Sequence, residues 1–174
     1  ARPGVKDDMK DRFDEVMDDF LCPLSQLENG RVTDSLYFLR NDGSFVFTEG
    51  YCHPENGMFG KIIYYPRAGG DIDIFGREYG CTTKKMVNDE CIYIGHPEQI
   101  RKHGEIDPTL DPEADRPCYV EYEMEFPLDD FVGYFDPSHS LQACLSLYPW
   151  LDEATRNAAR VLGVPRDRLG LTGS

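Results

Sequence analysis

The stretch DSLYFLRNDGSFVFTEG constrains the fold more than any other part of the sequence. Two runs rich in aromatic and branched residues, 35–40 and 44–49, flank the triplet Asn41-Asp42-Gly43. An Asp-Gly step favours the turn of a β-hairpin, because glycine readily adopts the positive φ that such turns require. A third run of the same kind, residues 59–65, follows after a loop rich in Pro, Gly and Asn. The sequence therefore predicts a meander of three antiparallel strands.

Helices and one later strand complete the predicted architecture. Apolar residues recur at helical spacing over 6–21, 138–147 and 151–162, which predicts one N-terminal and two C-terminal helices. The segment 118–126 alternates apolar and acidic residues, as a half-buried strand does. Residues 71–95 are ambiguous, with short strands possible at 72–75 and 91–94, and residues 97–103 fit a short helix. We expect an α+β fold, with an antiparallel sheet of a meander plus one later strand packed against these three helices.

The predicted core draws on both the strands and the helices. It comprises Phe13, Phe20, Leu36, Phe38, Phe45, Phe47, Ile62, Tyr64, Val120, Tyr122, Leu141, Leu145 and Leu162. The aromatic residues of the meander alternate along the strands without interleaved Lys or Arg, so we interpret them as core rather than as a surface that stacks bases. With 174 residues the chain suffices for one domain, predicted over 1–162, followed by a linker and the first strand of a second unit over 163–174.

Charge and composition exclude several classes of function. A net charge of −14 repels phosphate backbones, so we expect no non-specific binding to nucleic acids. No run of about 18 apolar residues is present, which predicts no membrane span and a cytoplasmic location. The six cysteines lack any Cys-x-x-Cys pair and are expected to be free thiols.

Two patterns suggest metal sites, and a simpler interpretation is favoured for both. Asp71 and Asp73 alternate along a possible strand and would share a face that could hold Mg²⁺, but we interpret them as solvated. The residues with the side chains that zinc prefers have no paired spacing, so no zinc site is predicted. They are Cys52, His53, Cys81, Cys91, His96 and His103. We interpret His53 as a loop residue that makes hydrogen bonds.

Acidic residues cluster on the later strand and in the segment after it. Glu121, Glu123 and Glu125 would lie on one strand face, with Asp129 and Asp130 soon after. Such charges usually mark a solvent-exposed strand. They also leave open a role in binding a basic protein partner.

Four segments occur in an order that resembles a known family. They are GYCHP (50–54), KIIYYP (61–66), PLDDFVGYFDPSHSL (127–141) and GVPRDRLGLTGS (163–174). In this order they resemble the N-terminal part of a family of predicted nucleotidyltransferases, known mainly from archaea and some bacteria. In that family a polymerase-β-type core lies toward the C-terminus.

The resemblance implies nucleotidyl transfer from an NTP with Mg²⁺ held by carboxylates of the core. Gly173 and Ser174 would contact the nucleotide phosphates, because glycine permits close approach of the backbone and serine adds a donor. The acidic pair that follows this Gly-Ser in the family is absent from the 174 residues. We therefore expect an accessory or substrate-recognition module that is inactive by itself, with no cofactor of its own. Its partners would be the C-terminal core and a nucleic-acid or protein acceptor.

The alternative is a free-standing acidic protein-interaction domain without enzymatic activity.

Overall fold

An antiparallel sheet forms the centre of the computed structural model, which describes residues 12–111 and 123–172. The strands are β1 (Tyr37–Arg40), β2 (Phe45–Thr48), β3 (Gly57–Pro66), β4 (Ile72–Ile74), β5 (Arg77–Cys81), β6 (Lys84–Val87), β7 (Glu90–Tyr93), β8 (Met124–Pro127) and β9 (Phe131–Phe135). The helices are α1 (Phe13–Phe20), α2 (His96–Ile106), α3 (Pro137–Leu147) and α4 (Trp150–Leu162).

The long strand β3 organises the sheet, whose order is β4-β5-β3-β2-β1-β9. One edge of β3 pairs with β2. The other edge pairs first with β8, through Gly57 to Gly60, and then with β5, through Tyr64 to Pro66. The predicted hairpin and meander are thus present as β1, β2 and β3. Strands β6 and β7 form a separate two-stranded sheet.

Both faces of the large sheet carry apolar side chains. Neighbouring residues of one strand contribute to different faces, because alternate side chains point in opposite directions. Phe38 and Val46 belong to one cluster, together with Ile100 and Ile106 of α2. The neighbouring residues Leu39 and Phe45 belong to a second cluster, together with Phe13, Val16 and Met17 of α1. The sheet therefore carries helix α2 on one face and helix α1 on the other.

The α+β prediction is confirmed, with an antiparallel sheet, an N-terminal helix and two C-terminal helices. The predicted strand 118–126 corresponds to β8, and its residues 118–122 lie outside the described part of the chain, as do residues 6–11 of the predicted first helix. The prediction was wrong for Leu162, which lies at the end of α4 with 64% of its surface exposed. None of the helices in residues 12–111 and 123–172 is long and apolar enough to cross a membrane.

The segment after α4 folds back onto the domain. Arg166 pairs with Asp152 of α4 at 2.5 Å, and the Leu171 N–H donates to the Pro137 carbonyl at 2.8 Å. The strand expected within 163–174 is not formed between 163 and 172, where the described residues make one 3₁₀ turn and then an extended segment without strand pairing. The contact with Pro137 occupies the Leu171 N–H, which a strand would need for pairing.

Arg40 of β1 joins three segments that are distant in sequence. Its guanidinium lies 2.6 Å from Asp107 after α2, 3.0 Å from Asp130 before β9, and 3.4 Å from Asp42 in the hairpin turn. We expect Arg40→Met to lower the free energy of unfolding by about 2–3 kcal/mol, because it leaves partly buried carboxylates without their cation. Urea denaturation measures this change.

Arg101→Met is the matched control for Arg40→Met. Among the described residues, Arg101 pairs with the exposed Glu105 one helical turn away and with no other carboxylate, so its loss should cost less than about 0.5 kcal/mol. Equal effects of the two substitutions would contradict a structural role of the Arg40 ion pairs.

Candidate functional site

A cavity of about 460 Å³ lies on the face of the sheet formed by neighbouring residues of three strands. Tyr37 of β1 pairs in register with Phe47 of β2, and Phe47 pairs with Lys61 of β3. Their side chains line the cavity, together with Lys84 of β6 and Tyr93 of β7. We call this space the charged cavity. Strand register alone brings its central residues together.

Lys61 is a buried cation in the wall of the charged cavity, with 7% of its surface exposed. Its Nζ donates to both carboxylate oxygens of Glu49, at 3.0 and 2.9 Å. Glu49 follows the end of β2 and its side chain is half exposed. Because a buried ammonium group needs a counter-charge, Glu49 fixes the position of Lys61.

Glu123 is a second carboxyl group next to this ion pair, and only 2% of its surface is exposed. Its Oε2 finds no hydrogen-bond partner among the described residues. Burial, followed by the charge of Glu49 and a hydrogen bond with it, raises the pKa of Glu123 to about 7, although Lys61 acts in the opposite direction. Glu123 therefore keeps a proton in the folded protein up to about neutral pH.

A second cavity, of about 490 Å³, adjoins the charged one. Its walls are mostly apolar and include Met17 and Phe20 of α1, Phe45 of β2 and Phe135 of β9. We call it the apolar cavity. Both cavities have Tyr37 and Thr172 in their walls, so they adjoin each other. We call the two adjoining cavities together the groove, with an apolar half and a charged half.

The residues predicted to contact phosphate, Gly173 and Ser174, lie outside the described part of the chain. Thr172 comes directly before them. It lines both halves of the groove, and Leu171 lines the apolar half. The last described residue, directly before the predicted phosphate-contacting residues, therefore lies in the wall of both cavities.

The other residues considered as metal ligands are dispersed. Asp71 and Asp73 are exposed, and the Asp73 carboxylate accepts a hydrogen bond from Gly76 N–H in the β4–β5 turn at 3.1 Å. Within residues 12–111 and 123–172, no three His, Cys, Asp or Glu side chains lie close enough to hold a metal ion. Cys22, Cys52, Cys81, Cys91 and Cys144 are free thiols.

Two of the histidines organise backbone. His53 Nδ1 accepts from Phe59 N–H at 3.1 Å, and its Nε2 lies 3.0 Å from the Gly50 carbonyl oxygen, which fits an Nε2–H donor. Burial lowers the pKa of His53, although Gly50 and Asp34 act in the opposite direction. His103 has the same kind of arrangement inside the core. In both side chains the neutral ring can make both hydrogen bonds, with one nitrogen as donor and the other as acceptor.

The prediction that acidic residues share one solvent-exposed face of the later strand was partly wrong. Glu125 is exposed, but Glu123 is buried, and Glu121 lies outside the described residues. Alternation along a strand predicted the same environment for Glu123 and Glu125, whereas Glu123 comes directly before β8 and is buried next to Glu49 and Lys61. The sequence analysis did not predict the grouping of Glu49, Lys61 and Glu123, because Lys61 looks like an ordinary polar residue within the predicted strand.

Comparisons of the chain with protein-family models, with curated proteins and with solved structures found no match in any of the three.

Proposed function

We propose that the chain is a substrate-recognition module of a polymerase-β-like nucleotidyltransferase, and that the groove is its recognition site. Gly173 and Ser174 would contact the phosphates of the NTP. Mg²⁺ would be held by carboxylates of the core, which is the partner of the module together with the acceptor. The proposal places the intact enzyme in the cytoplasm.

One observation supports this proposal above the others, namely that Thr172 lines both halves of the groove. A substrate in the groove would therefore lie next to the polypeptide that leads into Gly173 and Ser174. Holding two reactants close together removes much of the entropic barrier to their reaction, which is the usual contribution of a recognition module. The remaining support is the order of the four sequence segments.

The open reading frame that encodes the chain provides a decisive test. We expect it to encode, after Ser174, a short helix followed by a pair of acidic residues. The polypeptide from that reading frame should transfer label from an α-labelled NTP in the presence of Mg²⁺, whereas the 174-residue chain should not. A stop codon directly after Ser174 would contradict the proposal.

An acidic protein-interaction domain is the second candidate. The net charge of −14 and exposed carboxylates such as Glu125 and Asp129 favour a basic partner. A natural stop codon after Ser174, together with salt-sensitive binding to a basic peptide, would support this candidate instead.

A further inference from the structure

We propose that the charged cavity binds a small molecule that carries both a planar ring and an anionic group, as a nucleoside phosphate does. The inference names the ligand of the recognition site and so rests on the proposed function. It is carried by three features of the cavity, namely its cations, its rings and its size.

The charged cavity contains an ammonium group that pairs with no carboxylate of the described residues. Lys61 and Lys84 both line the cavity, and Lys61 is paired with Glu49, beside which Glu123 is buried. Lys84 has no ion pair with any carboxylate of the described residues. Its ammonium group lies instead 5.5 Å from the centre of the Tyr93 ring. Although the chain as a whole has a charge of −14, the Lys84 ammonium group in the cavity wall attracts an anion locally.

Aromatic rings surround the same space. The rings of Tyr37 and Phe47 lie 4.8 Å apart and are both in its wall. Tyr93 is 76% exposed on the β6–β7 hairpin, although a large ring usually gains stability from burial. These rings supply aromatic surface in the cavity wall, against which a planar ligand can stack.

Size and polarity fit a ligand of this kind. A volume of about 460 Å³ is within the usual range of small-molecule sites, roughly 300–1,000 Å³. Hydroxyl groups of Ser35, Thr83 and Thr172 line the cavity and supply hydrogen-bonding groups for a sugar or a phosphate. The buried Lys61 is held in place by Glu49, so part of the wall is formed before any ligand arrives.

Calorimetric titration of the 174-residue protein with AMP, inorganic phosphate and adenosine tests the inference at low ionic strength. We expect AMP to bind at least about tenfold more tightly than either phosphate or adenosine, because only AMP engages both the rings and the cation. If phosphate bound as tightly as AMP, the proposed role of the rings would be wrong. Adenosine as tight as AMP would overturn the role of the cation, and binding of none of the three would overturn the whole inference.

Two pairs of substitutions locate the site. Lys84→Gln should lower the affinity for AMP at least about fivefold. Lys85→Gln removes the same charge one residue away, beside Glu98, and should change the affinity less than about twofold. Tyr93→Ala should lower the affinity for AMP by a similar factor. Tyr51→Ala is the matched control and should change the affinity less, since Tyr51 is 77% exposed and lines a different cavity. Equal effects within either pair would place the ligand elsewhere and overturn the inference.

The reading-frame test separates this inference from the proposed function. AMP binding that follows the expected pattern, combined with a stop codon after Ser174, would leave the ligand assignment intact and remove the nucleotidyltransferase. An acidic pair after Ser174, combined with no binding of AMP, would retain the enzyme and remove the ligand assignment.

Discussion

His103→Ala is expected to lower the free energy of unfolding by about 3–5 kcal/mol, which is the largest effect of any substitution proposed for this protein. The edge of β3 that faces β8 and β5 has strand partners at Gly57 to Gly60 and at Tyr64 to Pro66, but none of the described strands pairs with Ile62 there. The His103 side chain fills this gap. Its Nε2 accepts from Ile62 N–H at 2.8 Å, and its Nδ1 lies 2.6 Å from the Gln99 carbonyl oxygen. Alanine would leave a buried donor unsatisfied and a space in the core.

Urea denaturation at neutral pH measures the effect of His103→Ala. His96→Ala is the matched control, because it removes the same side chain from the exposed first turn of the same helix and should cost less than about 1 kcal/mol. A loss below about 1 kcal/mol for His103→Ala would show that α2 does not complete the edge of β3 as described.

The second large effect is a pH dependence that originates at Glu123. Its pKa of about 7 exceeds the ordinary value of 4.5, so the folded protein keeps a proton that the unfolded chain releases between these two pH values. The contribution of Glu123 to stability is therefore fully present below pH 4.5 and is lost as the pH rises through about 7. Glu123→Gln removes this proton equilibrium and should raise the free energy of unfolding at about pH 8 by about 2 kcal/mol.

Urea denaturation of both proteins across the pH range from about 4.5 to about 8 provides the measurement. The lowered pKa of His53 has the opposite sign, because the unfolded chain binds a proton below pH 6.5 before the folded protein does. That contribution is common to both proteins and cancels in their difference. Glu125→Gln, an exposed carboxyl group two residues away, should leave the pH dependence unchanged. Parallel curves for wild type and Glu123→Gln would contradict the assignment.

Much of the fold followed from local patterns. The hairpin at Asn41-Asp42-Gly43 was predictable because the Asp-Gly step determines the turn, and the structure has Gly43 at φ 86°. The later strand and the two C-terminal helices followed from alternation and helical spacing. The β4–β5 and β6–β7 hairpins were ambiguous, since their strands are only three to five residues long and β6 and β7 are mostly exposed.

The groove was not predictable from the same patterns. Tyr37, Phe47 and Lys61 come from three strands, and Lys61 reads in the sequence as one polar residue among apolar ones. Exposed Leu162 shows the converse, because helical spacing marks an apolar stripe without indicating whether another element covers it.

The sequence by itself determined the meander, the three predicted helices and an acidic surface, because turn preference, periodicity and charge depend on residues close together in the chain. Only the tertiary structure decided that Glu49, Lys61 and Glu123 meet beside a cavity. Burial of a carboxyl group and the charges around it depend on strand register between segments far apart in sequence, and a shift by one residue would turn Lys61 to the opposite face.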